Sequence, residues 1–533
     1  MILTAMSGQV DHRKKPFGSL LISSPQGHSG KTTVTLGLCR AFKRRGLSIQ
    51  PFKKGPDYID PSWLTVAAGR GCRNLDLFLI SRDKLIEVFQ EASIESDLAL
   101  VEGALGLYDG LDSHGTTAEV ARLLGIPILL VVNTTRMTGS IAAMVSGYQQ
   151  FQKDVRIAGV ILNYVSGSRH EKKLRDAVEQ YCGIPVLGSL PRDPDLHIAE
   201  RHLGLIPSVE SEEAERLVER IASKLEPHLD LDGILKVARS CETPPLHFLY
   251  PYPSEDRVQS SSSRPSEERA QSSYPRPSED RTQSSSSRPL GERAQSSYPR
   301  PLGERARVRG GSSVKIGVIR DRAFNFYYPE NLEALISEGA ELLSIDSFKD
   351  RLPEVDGLYI GGGFPEFFLK ELEGNQGLRS DIAQAVEGGL PLYAECAGLM
   401  YLCRSISWEG KTYEMVGIIP SRIRLAKKPE GHGYVVADVT TENPWFPVGT
   451  TVRGHEFHHS SLLDSEDLPF AYGMKRGRGI EGERDGIIYK NLFASYVHLH
   501  ALGTPEWAKN FVSLASKTKE RNECRVENRK WTD

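Results

Sequence analysis

The stretch Leu390-Pro-Leu-Tyr-Ala-Glu-Cys-Ala-Gly-Leu-Met400 decides how the second half of the chain folds. An apolar run stops at Cys396, the small residues Ala397 and Gly398 follow, and a helical pattern resumes. A strand that turns straight into a helix presents such a cysteine on a tight bend. The strand aims the sulfur, and the helix's first free N–H groups lower the thiol pKa and can hold an oxyanion, with Ala397 as a donor. The plainer reading is a half-buried cysteine in an α/β core. Two flanking stretches weigh against it. Upstream, Gly361-Gly-Gly-Phe-Pro-Glu366 follows an apolar strand at 357–360, and Gly362 and Gly363 offer N–H groups unobstructed by Cβ. Downstream, Ser495-Tyr-Val-His-Leu-His500 supplies an imidazole base.

Strand and triple glycine, then strand–Cys–helix, then a late histidine resemble a class I glutamine amidotransferase, in which a Cys–His pair hydrolyses glutamine and releases ammonia. The resemblance makes Cys396 the nucleophile and His498 the base. Members of that family ordinarily carry His-Pro-Glu, the glutamate completing a triad, whereas this chain has His498-Leu-His500. Two arrangements stay open: His500 as the third member, or a dyad.

The totals bound the rest. A chain of 533 residues is too long for one core, so two or three domains are expected. Sixty-six basic against 69 acidic residues leave a net charge of −3, which gives no reason to bind nucleic acid or an anionic membrane. Seven scattered cysteines without a CxxC pair indicate neither a disulfide framework nor a zinc site. The segment 18–23 is too short for a signal-peptide core, and no window approaches about 20 apolar residues. A cytoplasmic protein is expected.

In the first half, an apolar strand at 19–23 leads into Ser24-Pro-Gln-Gly-His-Ser-Gly-Lys-Thr-Thr33 and a helical pattern at 34–44. This order reads as a phosphate-binding loop. Gly27, Gly30 and Thr33 belong to the cradle, Lys31 reaches the β/γ oxygens, and Thr32 ligates Mg²⁺. Pro25 replaces the loop's usual first glycine. A second strand at 47–52 ends in Lys53-Lys-Gly-Pro-Asp-Tyr-Ile-Asp-Pro61, at the strand end where open α/β sheets bind ligands. Glu102 closes another apolar strand, and a buried acid there calls for a cation such as Mg²⁺. Near-continuous apolar runs at 126–133, 157–163 and 185–190 signal a parallel sheet covered on both faces.

The segments SGKTTVTLGL (29–38), QPFKKGPDYIDPSW (50–63), VEGALGLYDG (101–110), GVILN (159–163) and ERHLGL (200–205) resemble, in order, the N-terminal half of the cobyrinate a,c-diamide synthase family, a relative of dethiobiotin synthetase. Gln26 stands where ParA/MinD-type ATPases carry a signature lysine, which sets the chain with the synthetases. The resemblance implies an ATP-dependent carboxylate activator acting on a corrin-like tetrapyrrole. It places Lys31, Thr32 and Glu102 at nucleotide and Mg²⁺ positions, with Asp57 as a further metal ligand and Asn163 at the adenine. Lys53, Asp57, Tyr58, Ile59 and Asp60 face the tetrapyrrole, and Asp109 is the other acid of the signature. Asn133 departs from the Asp that usually ends its strand.

From 243 to 313 the composition collapses to Ser, Arg, Pro, Glu and Gln in 12-residue repeats, SEDRVQSSSSRP (254–265) and its successors. So few apolar residues cannot offset the entropy of folding, and the segment reads as a duplicated, solvated tether. Recurring Tyr252, Tyr274 and Tyr298 also admit a binding array. Beyond it, DRAFNFYYPENL (321–332) and RGHEFHHS (453–460) match family segments. The second of these, with Gly431–Tyr434 region GHGY (431–434), reads as polar, partly aromatic loops, and its histidines lack a carboxylate or thiolate at metal-ligand spacing.

The expected organisation is therefore a flexible N-terminus (1–17), an amidoligase domain (18–242), a disordered linker (243–313), a class I glutamine amidotransferase domain (314–516) and a tail (517–533). The fold class is α/β, two parallel-sheet domains, the first P-loop NTPase-like. The expected activity is glutamine-hydrolysing, ATP-dependent amidation of the a and c carboxylates of cobyrinate through an acyl phosphate. The partners are ATP, L-glutamine and the tetrapyrrole, Mg²⁺ is the cofactor, and a homodimer is admitted. Rival substrates are sirohaem and Ni-sirohydrochlorin. The rival outside the class is a regulatory P-loop ATPase with a vestigial amidotransferase domain.

Overall fold

Seven short strands of the first half form one parallel sheet: β1 (Gly18–Ser23), β2 (Ile49–Lys54), β3 (Arg73–Leu75), β4 (Leu98–Glu102), β5 (Ile128–Asn133), β6 (Ile157–Val165) and β7 (Val186–Pro191), ordered β3-β2-β4-β1-β5-β6-β7. The computed structural model describes residues 18–111, 114–196, 198, 200–201, 204–211, 213–241, 313–464 and 467–530. The N-terminus 1–17 and, but for Ser313, the repeat linker lie outside the described residues.

Burial on both faces explains why these strands read as unbroken apolar runs. Leu20, Ile22, Leu129 and Val131 pack into one core, while Leu21, Leu130 and Val132 pack into the other. Helix α1 (Lys31–Arg44) follows β1, and α2 (Ile59–Ala68) follows β2. The chain moves outward from β1 to β2 and β3, then returns through β4 to β5 on the opposite side of β1. The carboxyl ends of β2, β4 and β1 lie side by side next to that reversal, the edge at which open α/β sheets bind ligands.

A small hairpin, β8 (Glu200–Arg201) with β9 (Gly204–Leu205), precedes the second half. There a ten-stranded sheet begins as expected. The strands β10 (Val314–Ile319), β11 (Ala340–Ile345), β12 (Gly357–Ile360) and β13 (Leu392–Glu395) are parallel, in the order β11-β10-β12-β13. A separate four-stranded sheet holds β14 (Cys403–Trp408), β15 (Lys411–Glu414), β16 (Ile419–Leu425) and β19 (Ser460–Leu463). The large sheet continues through β22 (Leu492–Ser495), β21 (Arg484–Tyr489), β20 (Phe470–Arg476), β17 (Gly431–Val439), β18 (Thr451–His458) and β23 (His498–Leu499). After β22 every pairing in it is antiparallel.

Three expectations are corrected here. The second sheet is mixed rather than parallel, and 431–434 and 453–458 are strand, not loop. Their polar side chains hid the strand pattern, because His455, Glu456 and His458 are buried within β18. The last helix also runs Glu506–Lys530, past the boundary expected at 516, with Trp507, Phe511, Ala515 and Thr518 buried. Among the described residues no helix is long and apolar enough to cross a membrane.

The two halves belong to one compact unit. Arg73 reaches Glu330 at 3.1 Å and Glu333 at 2.6 Å. Tyr434 donates to Asp76 at 2.5 Å and stacks on Phe78 at 4.4 Å. Tyr328 is buried in the same core as Phe52, Leu79 and Leu107.

Candidate active site

The phosphate loop is drawn tight before any ligand arrives. Gly30 has φ +89° where α1 begins, and a Cβ on it would stand 2.3 Å from Asn163 Nδ2. Only glycine takes both the left-handed backbone and that approach. Asn163 donates through Nδ2 to the Ser29 carbonyl (2.9 Å), and its Oδ1 accepts from Tyr164 N–H, so its side chain is spent supporting the loop. A Cβ on Gly27 would meet nothing within 4 Å. Thr33 is half-buried in the first turn of α1. Lys31 Nζ donates to Ser24 Oγ (2.9 Å) and to the Leu105 carbonyl (2.7 Å). Burial, with the Lys53 charge, draws the Lys31 ammonium down to about 8.

The 103–110 segment lies over this loop. Leu107 N–H donates to the Ser24 carbonyl, and Asp109 accepts from Gly106 N–H at 2.7 Å. Beneath it, Glu102 is fully buried at the end of β4. Thr32 Oγ1 donates to Glu102 Oε1 (2.7 Å), and Lys53 Nζ reaches the same oxygen at 2.9 Å. Lys53 also binds Asp60 at 2.5 Å and stands 3.9 Å from Asp57. Its amine loses stability on burial, yet Asp60, Glu102 and Asp57 together raise its pKa well above the ordinary range. Asp57 Oδ1 accepts from the N–H groups of Ile59 and Asp60 at the start of α2. Desolvation and the Asp60 charge push the Asp57 carboxyl up to about 7.

Hard oxygen donors suit Mg²⁺, and one observation tests the fit. Glu102 Oε2 is buried with no hydrogen-bond partner among the described residues, beside the Thr32 hydroxyl. An orphaned carboxylate oxygen is costly unless a cation meets it. Among the described residues no three His, Cys, Asp or Glu side chains gather as a metal cage. The fit is therefore to an ion that draws its other ligands from phosphate and water.

At the other site, β13 ends in an elbow. Cys396 has φ +48° and ψ −99° and opens the Ala397–Leu402 helix. Its N–H donates to the Ser495 carbonyl at 2.8 Å, and the Ala397 N–H is directed at the sulfur. A Cβ on Gly398 would lie 2.4 Å from the Ile360 carbonyl, which explains the small residue there. Gly363 has φ +155°, and a Cβ on Gly362 would stand 2.4 Å from His498 Cε1, so the glycine turn touches the imidazole. Gly362 thus meets His498 at the end of β12, while the Cys396 sulfur, at the end of neighbouring β13, reaches the Phe457 carbonyl at 3.9 Å. One expectation fails: the thiol pKa is raised, not lowered. Burial dominates, the Glu366 charge adds to it, and only the Ala397 N–H opposes.

His500 does not face His498. The strand β23 ends at Leu499, and the chain turns, sending His500 Nε2 to within 3.6 Å of Glu330 Oε2 and its ring onto Tyr328 at 4.7 Å. The carboxylate beside His498 is Glu395, whose Oε2 stands 3.7 Å from Nδ1. Glu395 is almost fully buried and accepts from Tyr359 Oη (3.0 Å) and Leu499 N–H (3.2 Å). Sequence reasoning missed it, although the signal was the one read at Glu102: an acid closing a buried apolar strand. Tyr58 and its neighbour Ile59 begin α2, and the Tyr58 ring extends into the second half to stack on Phe326.

Comparison with known proteins divides the chain at the same place. Residues 20–206 match the CobQ/CobB/MinD/ParA nucleotide binding domain, and residues 315–506 match the CobB/CobQ-like glutamine amidotransferase domain. The chain is 41% identical over 493 residues to a cobyrinate a,c-diamide synthase of Magnetococcus marinus, covering 92% of this chain and 95% of that protein. Proteins of the same name from Methanosarcina barkeri (38% identical; 93% and 95% covered) and Archaeoglobus fulgidus (38%; 94% and 98%) are similar over the same extent. The likeness therefore spans both halves in one order.

Proposed function

Because this chain belongs to the cobyrinate a,c-diamide synthase family, we propose that it amidates the a and c carboxylates of cobyrinate with ATP and glutamine. The observation that carries the reading is the presence, in one compact unit, of the Lys31–Thr32–Glu102–Lys53 cluster and of the Cys396 elbow with His498 set against the Gly362 turn.

The two sites solve different halves of one problem. A carboxylate is a poor electrophile, and ammonia is mostly protonated near neutral pH. In the first half, a substrate carboxylate oxygen attacks the γ-phosphorus of ATP, ADP departs, and an acyl phosphate results. Lys31 and the N–H groups of the loop hold the phosphates. Thr32 and Glu102 would hold Mg²⁺, which when bound neutralises phosphate charge. Lys53 fixes Asp60 and Glu102 in place, and the 57–60 turn takes the macrocycle.

In the second half, His498 removes the Cys396 proton, which the buried sulfur otherwise keeps. The thiolate attacks the glutamine amide carbon, and the Ala397, Gly362 and Gly363 N–H groups receive the oxyanion. His498 returns the proton to the departing nitrogen, and water cleaves the thioester to glutamate. Glu395 stabilises the transient imidazolium. Ammonia then displaces phosphate from the acyl phosphate, and the cycle repeats on the second carboxylate. A reaction that consumes ATP and glutamine and uses a cysteine thiol fits a protein of the reducing cytoplasm.

Incubation with MgATP, glutamine and cobyrinate, read by mass, is expected to show two successive OH-to-NH₂ exchanges. Sirohaem and Ni-sirohydrochlorin are expected to stay unchanged. Cys396→Ala should abolish use of glutamine but not of free ammonia, and Lys31→Ala should stop both. Unaltered cobyrinate, or loss of both donors in Cys396→Ala, would refute the reading.

A further inference from the structure

His498 lacks the hydrogen bond that ordinarily fixes a catalytic imidazole. Its Nδ1 is buried without a partner among the described residues, and Glu395 Oε2 stands 3.7 Å off, beyond hydrogen-bond length. The ring is instead held by walls. One is His455, stacked with centroids 4.9 Å and planes 17° apart. The second is Gly362, close enough that a methyl group there would overlap the ring. The third comes from the other half of the chain: Tyr58, with its ring centroid 5.4 Å away.

Tyr58 is seated firmly among second-half rings. It stacks on Phe326 at 5.0 Å and 8°, and lies 4.7 Å from Tyr328 and 5.6 Å from His455. By sequence it stands between Asp57 and Asp60, whose carboxylates face Lys53. One side chain therefore belongs to the acidic turn and also forms a wall of the glutaminase histidine. With no hydrogen bond on Nδ1, the orientation of the ring depends on these walls, and small gaps forfeit much of their attraction.

We propose that Tyr58 is a positioning residue of the glutaminase half, holding the His498 imidazole in its working orientation so that the macrocycle-binding turn sets the readiness of the Cys396–His498 pair. The proposal rests on the function argued above, but it is tested without macrocycle. Glutamate release, and labelling of Cys396 by a glutamine-shaped diazoketone read by peptide mass, are measured with ATP and cobyrinate both absent. Tyr58→Phe, which keeps the ring, is expected within about twofold of the native protein in both assays. Tyr58→Leu is expected to lose about tenfold or more in kcat and labelling rate, with the KM for glutamine little changed. Tyr58→Met repeats the test should Tyr58→Leu melt early. Native rates in both aliphatic variants would mean that Tyr58 serves the macrocycle alone, and would overturn the proposal. A Tyr58→Phe as defective as Tyr58→Leu would overturn it too, by shifting the role to the hydroxyl. A protein that modifies no macrocycle but loses labelling in Tyr58→Leu would refute the proposed function and leave this inference standing.

Discussion

Asp57 carries a proton budget of its own. Its carboxyl is pushed up to about 7 by desolvation and by Asp60, so the folded protein binds a proton there that the unfolded chain releases at ordinary carboxylate pH. The folded state then holds more protons across that interval, and stability falls as pH rises from the ordinary carboxylate pKa through about 7. Asp57→Asn is expected to flatten this part of the melting-temperature profile, and an unchanged slope would contradict the assignment. The glutaminase residues allow a second comparison. Glu395→Gln should lower glutamine-dependent turnover by about tenfold to a hundredfold while sparing ammonia-dependent amidation, because it removes the only carboxylate beside His498 among the described residues. His500→Asn should leave that rate within a few-fold. The reverse ranking would restore His500 as the third member. Cys396, Lys31 and Glu102 were marked in the sequence because each ends or follows a recognisable strand, and His498 because a late histidine completes the resemblance to a class I amidotransferase. Glu395 was passed over although it closes an apolar strand as Glu102 does, and Tyr58 was read only as a macrocycle residue, since its ring partners Phe326 and His498 lie far away in sequence.

At the scale of elements, strand-to-helix turns were the most readable features. The runs at 19–23, 98–102 and 391–396 have a fully buried sheet's composition, and glycine marks each bend. The antiparallel extension escaped notice because buried His455, Glu456 and His458 break the period-two alternation of β18. The elbow is also where backbone and chemistry are most tightly joined. Gly398→Ala would drive a methyl group into the Ile360 carbonyl. A destabilisation of roughly 1–3 kcal/mol in urea is expected, with glutaminase activity lost before ATP-dependent use of ammonia. Equal loss of both activities would mean that the damage spreads beyond the elbow.

The whole molecule depends on side chains that cross between halves, which no local pattern announces. Burial works against ionisation of Glu330, but His500 and Arg73 outweigh it and hold its carboxyl down to about 2. Arg73→Met leaves that buried carboxylate facing His500 without its arginine and should cost about 2–5 kcal/mol, read as an earlier first transition in calorimetry. A single unshifted transition would show that the pair contributes nothing to joining the halves. Because ion pairs and stacked rings already unite the two halves, the repeats between them need contribute only proximity. A protease cut within 244–302 should therefore yield two fragments on a denaturing gel that still travel as a single species through a sizing column, and separately translated halves should complement one another.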